Sequence, residues 1–361
     1  MNIRIGILTA PQIDFVQNEK TFLLKNVRIG IGFHWDRTED QEFAGQLEIL
    51  HNPDGTQTAV NIIDIEDYLC SVISSEMSAD SPLELLKAHA VISRSWVLRL
   101  LQREKQRKNI RQTAFEDGGH IGFDVCADDH CQRYEGLQRM NARAVQAVRE
   151  TAGQVLTFST DSTHSHELCD CRFYKCCGGK TELFSTCWED IDYPYLQSVQ
   201  CPYCNTQDAS ILRTVLNQYD QETADFHDWE VTYTNRELHD ILLKKTGIDF
   251  GDIIDLIPLK RGASGRIYSL QIKGSLCTHT IGKELAIRRA LSPSCLYSSW
   301  FTIHHTPYTT HHTPLSFTLI GHGWGHGVGL CQIGAAVMAT QQHTYQDILS
   351  FYYPDTHLQQ Y

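Results

Sequence analysis

The chain has 361 residues, 42% of them hydrophobic and 20% charged, with a formal net charge of -12. This length supports one large domain or two modest ones, each with its own core. The acidic balance argues against a nucleic-acid binder, which would carry a basic stripe, and no apolar run approaches the roughly 18 residues of a membrane helix.

The N-terminus reads as a short strand with Ile3, Ile5 and Ile7 on alternate positions, then a turn at Pro11. It lacks the charged n-region and longer apolar h-region of a secretion signal. Alternating stretches continue through Val27–Ile31 and Gln46–Leu50, the latter closed by a turn at Pro53-Asp54-Gly55. From residue 65 to 108 the pattern is helical, broken once near Ser78 to Ser81. Ser81, Pro82 and Glu84 predict a capping box at the start of the second helix.

Glu76 therefore falls between two helices, where a carboxyl can point into a cleft instead of lying on a solvated face. On the following helix Leu83, Leu86, Ala90, Val97 and Leu101 share one face at about 100° per residue, with Arg94 inside that stripe and Lys87 at its edge. A cation so placed needs a partner, and a nearby carboxylate would satisfy it.

Further along, a helix is expected over 140 to 150 and a strand over Val155 to Phe158. A unit at about 235 to 295 follows, with a helix, two strands joined by a Gly-Ala-Ser-Gly turn, and a basic helix ending near Ala290. A strand, a glycine loop and two helices close the chain. This irregular order predicts an α+β fold, with helices and antiparallel-type strands around a substrate cleft and a small inserted α+β subdomain. It divides the chain into an N-terminal β-rich segment (1–64), a catalytic core (65–234), an inserted or accessory subdomain (235–299) and a C-terminal core segment (300–361).

The loop Gly321-His322-Gly323-Trp324-Gly325-His326-Gly327-Val328-Gly329 places five glycines at alternate positions. Such spacing belongs where backbone bends sharply or approaches a neighbour or ligand closely. It does not read as a nucleotide-binding loop. The histidines read equally as metal ligands, acid/base groups, hydrogen-bond donors to a sugar, or part of a plain turn.

Thirteen cysteines are an odd number, so they cannot all pair internally. His120, Cys126, His130 and Cys131 offer two imidazoles and two thiols within twelve residues, a set that suits tetrahedral zinc although the spacing is not a zinc finger's. A disulfide between Cys126 and Cys131 is the alternative. Cys201-Pro202-Tyr203-Cys204 looks like a glutaredoxin site but lacks the strand-to-helix context of one. A local disulfide, or a metal site shared with Cys176, Cys177 or Cys187, fits it better. Cys70, Cys277, Cys295 and Cys331 are scattered and read as small buried hydrophobes.

Taken in order, the segment Tyr68-Leu69 to Glu76-Met77, the helix Leu86-Lys87-Ala88 to Arg94 and the loop Gly321 to Ala335 resemble the stage II sporulation protein D / LytB family. Tyr174 to Glu182, Trp188, Tyr195 to Val199, Ser264-Gly265-Arg266 and Ile348 to Pro354 extend the likeness from about residue 60 to the end. Asp355 stands where the family usually has glycine, and the cysteines around Gly178-Gly179 are a second departure.

The resemblance implies a lytic transglycosylase acting on peptide-stripped peptidoglycan glycan strands, with Glu76 as its catalytic acid and base. It implies that Lys87, Arg94, Tyr174, His322, His326 and Gln332 hold the sugar, and that zinc sits at His120, Cys126, His130 and Cys131 without being needed for the chemistry. Such a substrate lies in the cell envelope or periplasm. The LytB branch adds the alternative of a glycan-binding enhancer of an N-acetylmuramoyl-L-alanine amidase.

Overall fold

The computed structural model describes residues 1–31, 36–109, 120–128, 130–159, 166–215, 226–306 and 315–361. Strands β1 (Asn2–Ala10), β2 (Phe15–Gln17), β3 (Thr21–Ile29), β4 (Arg37–Ala44), β5 (Gln46–His51) and β6 (Gln57–Asp64) precede helices α1 (Ile65–Glu76) and α2 (Leu83–Asn109). Next come β7 (Val125–Cys126), α3 (Ala142–Glu150), β8 (Gln154–Ser159), β9 (His166–Leu168), β10 (Phe173–Tyr174), α4 (Phe184–Cys187) and α5 (Ala209–Val215). A third stretch holds β11 (Asp228–Thr234), α6 (Asn235–Thr246), β12 (Ile253–Arg261), β13 (Ile267–Gly274), β14 (Thr278–Ile281) and α7 (Glu284–Ala290). The chain closes with β15 (Phe301–His305), β16 (Ser316–His322), β17 (Leu330–Cys331), α8 (Gln332–Thr340), α9 (Tyr345–Tyr352) and β18 (His357–Gln360).

The fold is α+β, built from several small and mostly antiparallel sheets. No helix among the described residues is long and apolar enough to cross a membrane. In β1 the alternation seen in the sequence becomes burial, because Ile3 and Ile5 are fully enclosed. β1 pairs antiparallel with β6 on one side and parallel with the short β7 on the other, Ile5 opposite Val125 and Gly6 opposite Cys126. That edge pairing carries the Cys/His segment to the main sheet.

Apolar side chains gather in two cores. The larger joins β1, β3, β6, α1, α2, α3, β8, α8 and α9. The smaller joins Trp229, Leu238, Leu242, Phe250 and Ile253 with Leu270, Ile287, Phe301 and Phe317. A buried polar seam lies between them. Glu182 is fully enclosed, and its carboxylate accepts hydrogen bonds from the N–H groups of Leu183, Ala263 and Ser264 and from the hydroxyls of Ser264 (2.6 Å) and Thr186 (3.2 Å). Ser264 in turn meets the buried Arg266 guanidinium at 3.0 Å, which donates to the carbonyls of Gly325 and Cys177. The β12–β13 turn is thereby fastened to the Gly-His loop.

Helix α2 begins where Pro82 and Glu84 predict, but the expected capping box is not what forms. The Ser81 hydroxyl donates to the Thr214 carbonyl (2.7 Å), and Glu84 accepts from Tyr345 N–H and Lys87 Nζ. The residues that mark the helix start locally are recruited by distant segments. Along its enclosed face α2 also carries His89, whose ring lies between Ser93 Oγ (3.3 Å) and Gln332 Nε2 (3.1 Å) at the start of α8. Because the Gln332 amide donates to Nε2, the neutral ring keeps its proton on Nδ1.

Two outcomes follow from these buried polar groups. Glu182→Gln turns an amide N–H₂ toward the donors of Ser264 or Ala263 and should lower stability by about 1–3 kcal/mol in urea unfolding. Burial pushes His89 down to about 3, so it stays neutral in the folded chain, whereas the unfolded chain protonates near 6.5. The unfolded state then binds more protons between those values. Its contribution to stability is complete above about pH 6.5 and is lost as pH falls toward 3, with a slope of at most about 1.4 kcal/mol per pH unit. His89→Phe should flatten that limb when unfolding is measured across the same range.

Candidate functional site

Glu76 is the last residue of α1 and is half-buried. The helix presents a polar row toward the segment that follows the Cys/His cluster. Ser71 Oγ donates to the Gly136 carbonyl (2.8 Å), Ser75 Oγ accepts from Glu135 N–H (3.1 Å) and Ser74 Oγ accepts from Asn141 N–H (3.2 Å). At the end of this row Arg133 N–H donates to Glu76 Oε1 at 3.0 Å. The carboxylate is oriented by backbone, which is a stiffer support than a long side chain.

The expected metal ligands do assemble. Ligand atoms of His120, Cys126, His130 and Cys131 all lie within 4.8 Å of one another, with His120 Nε2 3.2 Å and His130 Nδ1 3.6 Å from Cys131 Sγ. None of the cysteines is in a disulfide. The Cys126 thiol is pushed down by hydrogen bonds from Cys131, His120 and His130, while Cys131 is pushed up beside it. Two imidazoles and two thiols could hold a metal ion. The cluster is linked to the carboxylate through two residues: Gln132 accepts from the Tyr68 hydroxyl (3.1 Å), and Arg133 holds Glu76.

The Gly-His loop reaches the same junction at its far end. Gln332 Nε2 lies 3.3 Å from Met77 Sδ, one residue beyond Glu76, and bonds to His89. Phe173 packs tilted against His89 with ring centroids 4.2 Å apart, and Tyr174 next to it meets His326 edge-on at 5.3 Å. β10 and β17 pair in parallel, Tyr174 opposite Cys331. Glycine is required here by the protein's own backbone. Gly323, Gly325, Gly327 and Gly329 have φ between 75° and 101°, and a Cβ on Gly327 or Gly329 would sit 2.5 Å from the Arg266 guanidinium or 2.2 Å from the Arg172 carbonyl. The loop's neighbour is internal: the Gly323, Gly325 and Leu330 N–H groups donate to His227, Tyr297 and Arg172 carbonyls.

Several residues expected at the sugar are engaged elsewhere. Arg94 is only 1% exposed and makes a bidentate pair with Glu66 (2.8 and 2.7 Å) while also donating to the Gln154 and Val148 carbonyls. It braces α1, α2 and β8 and cannot reach a glycan, because ordering its guanidinium on Glu66 consumes the planar fork. Lys87 is shared between Glu84 and Glu150 (2.9 and 2.8 Å). Tyr174 is buried, its hydroxyl directed at the Gly329 carbonyl.

The loop histidines part company. His326 is pushed well down by burial and by Arg172, Arg266 and Arg288, and its Nδ1 accepts from Val328 N–H (3.0 Å), so it is neutral and holds the loop. His322 is partly exposed and pairs with Asp228 at 2.5 Å. Despite desolvation, hydrogen bonds from His227 and His322 keep the Asp228 carboxyl low.

One residue escaped the sequence reading. Arg172 is held by Asp170 (2.6 Å) and stands 4.5 Å over the Trp188 ring. After burial, its charge is the next largest cause that holds His326 neutral, which sets the guanidinium beside the Gly-His loop. An arginine two positions before the Tyr174 motif was the signal for it.

A family model described as stage II sporulation protein matches residues 53–158, which include Glu76 and the Cys/His cluster, and a domain of unknown function matches 182–329. An uncharacterized protein of Brachyspira hyodysenteriae is 28% identical over 86% of this chain and 71% of its own length. Stage II sporulation protein D of Bacillus subtilis is 24% identical over 83% of this chain and 76% of its own. The amidase enhancer of Bacillus subtilis is 27% identical over 81% of this chain but only 40% of its own length. By these matches residues 53–158 resemble the stage II sporulation protein family, and the chain as a whole is similar to stage II sporulation protein D and to the amidase enhancer.

Proposed function

We propose that this chain is a peptidoglycan lytic transglycosylase that cuts the bond between N-acetylmuramic acid and N-acetylglucosamine in peptide-stripped glycan strands, with Glu76 as general acid and base. The reading is carried by the junction at the end of α1. There a half-buried carboxylate is held by a backbone N–H two residues after a cysteine of the Cys/His cluster, and one residue before the methionine that meets Gln332. The reaction needs few parts. Glu76 protonates the glycosidic oxygen as the C1–O bond breaks, then takes the proton of the muramoyl C6 hydroxyl as that oxygen bonds to C1 and closes a 1,6-anhydro ring. The nucleophile belongs to the substrate, so no water is activated and a second carboxylate is not obligatory.

Arg172, with Trp188 beside it, offers a cation and an aromatic face on the same wall, suited to the lactyl carboxylate and the sugar ring. Tyr174 and His326 frame that wall from behind. The donor set of His120, Cys126, His130 and Cys131 fits zinc, and zinc there would supply a closed tetrahedral tie that stiffens the cleft wall. The chain's own residues then transmit that stiffness through Gln132 and Arg133 to Glu76. A substrate of this kind lies in the cell envelope. The amidase-enhancer relative supports a second reading, in which the cleft holds glycan for an N-acetylmuramoyl-L-alanine amidase without cutting it.

Peptide-free glycan strands incubated with the protein and analysed by mass spectrometry should yield 1,6-anhydro ends. Glu76→Gln should lower the rate by roughly 10² to 10⁴-fold. Reducing ends would mean a hydrolytic muramidase, and intact strands that still bind would mean an enhancer. Cys131→Ser removes a ligand of the Cys/His cluster and reaches Glu76 through Gln132 and Arg133. It should lower kcat roughly 10 to 100-fold with a smaller change in KM, the pattern of a mispositioned acid.

A further inference from the structure

A second group of thiols lies away from the Cys/His cluster and outside the chemistry above. Cys177, Cys201, Cys204 and Cys331 are all buried, and their four Sγ atoms lie within 4.8 Å of one another. We propose that these four cysteines form a structural site for one tetrahedrally coordinated divalent metal ion, zinc by ligand chemistry.

Three segments build it. The left-handed turn at Gly178-Gly179 and the bridge between Lys180 and Gln200 set Cys177 beside Cys201, whose N–H donates to the Gly179 carbonyl at 2.9 Å. The Cys201-Pro202-Tyr203-Cys204 turn then returns a second thiol to the same point, with Cys177 Sγ and Cys204 Sγ 3.2 Å apart. Cys331 arrives from the exit of the Gly-His loop.

The spacing suits a single ion. At a metal–sulfur distance near 2.3 Å, tetrahedral geometry separates the sulfurs by about 3.8 Å, whereas an iron–sulfur cluster spreads its thiolates around an inorganic core. The surroundings also fit a ligated sulfur. Cys331 Sγ accepts the N–H groups of Cys177 (3.3 Å) and Gly334 (3.4 Å), and the Tyr352 hydroxyl lies 3.3 Å from Cys201 Sγ. Such second contacts orient the ligand atoms. A side chain at Gly334 would meet Cys201 Sγ at 2.8 Å, so the helix start is shaped around the thiols.

Two expectations from the sequence change accordingly. Cys331 is a cluster member and not a scattered apolar residue, and Cys187 stands apart with its Sγ 3.4 Å from the His326 carbonyl. The position gives the ion a task. Cys331 immediately precedes Gln332, which holds His89 and Met77, so the ion would pin the end of the Gly-His loop to the Cys-Pro-Tyr-Cys turn.

Protein purified in reductant without added metal should contain two zinc ions per chain by elemental analysis. One should be lost in Cys201→Ser/Cys204→Ser and one in Cys126→Ser/Cys131→Ser. Cobalt-substituted wild-type protein needs no variant and should show thiolate-to-cobalt absorption from six sulfur ligands, four here and two at the Cys/His cluster. Absorption accounting for two sulfurs only would overturn the proposal. So would disulfides joining Cys177, Cys201, Cys204 or Cys331 in peptides mapped from protein kept unreduced.

Discussion

The passage of the glycine strand between two cores is the constraint on which the remaining structure rests. Residues 321 to 329 leave β16 in the smaller core and enter β17 and α8 in the larger one. They do so through a space bounded by Tyr174, the Arg172 carbonyl, the Cys176 and Cys177 carbonyls and the Arg266 guanidinium, where no Cβ fits. At the glycine positions only backbone fits, and its polar groups must be satisfied by the walls. The bonds to His227, Tyr297 and Arg172, and from Arg266 and Glu182, meet that demand. Buried charge on Glu182 and Arg266 is tolerated because each group is saturated with hydrogen bonds, Ser264 linking the two.

This seam explains how the end of the Gly-His loop comes to lie against the junction after α1. Once the glycine segment is threaded, Gln332 has no freedom to move, and it meets α2 at His89 and α1 at Met77. On the opposite side the serine row of α1 holds residues 135 to 141. Glu76 is therefore approached from two directions by segments that are anchored independently. The proposed reaction, with a nucleophile that belongs to the substrate, would require preorganisation of that kind.

The polar residues on α2 show how such a framework divides its tasks. Spacing places Arg94 in the apolar stripe of α2 where it needs a carboxylate, while the family resemblance assigns Arg94 and Lys87 to the sugar. In the folded chain Glu66, Glu84 and Glu150 absorb them, while Arg172 lies against the Trp188 ring. A bidentate Arg94–Glu66 pair with the guanidinium almost fully enclosed specifies the packing of α1 on α2 and β8. Arg172, by contrast, keeps part of its surface in solvent while leaning on aromatic rings.

What could be read from the residues alone is what depends on neighbours a few positions apart. The break at Ser78 to Ser81, the start of α2 at Pro82, the ligand spacing from His120 to Cys131 and the backbone demand of alternate glycines are local properties, and each reappears in the fold. So does the α+β class, because it follows from the order of periodic segments. Partner choice is not local. That Arg94 bonds to a glutamate 28 positions away, that His322 and His326 on one loop serve different neighbours, and that Cys331 meets Cys177 were decided by long-range packing. Sequence periodicity reports which face of an element is buried; which atoms wait on the other side is known only when the chain has closed around them.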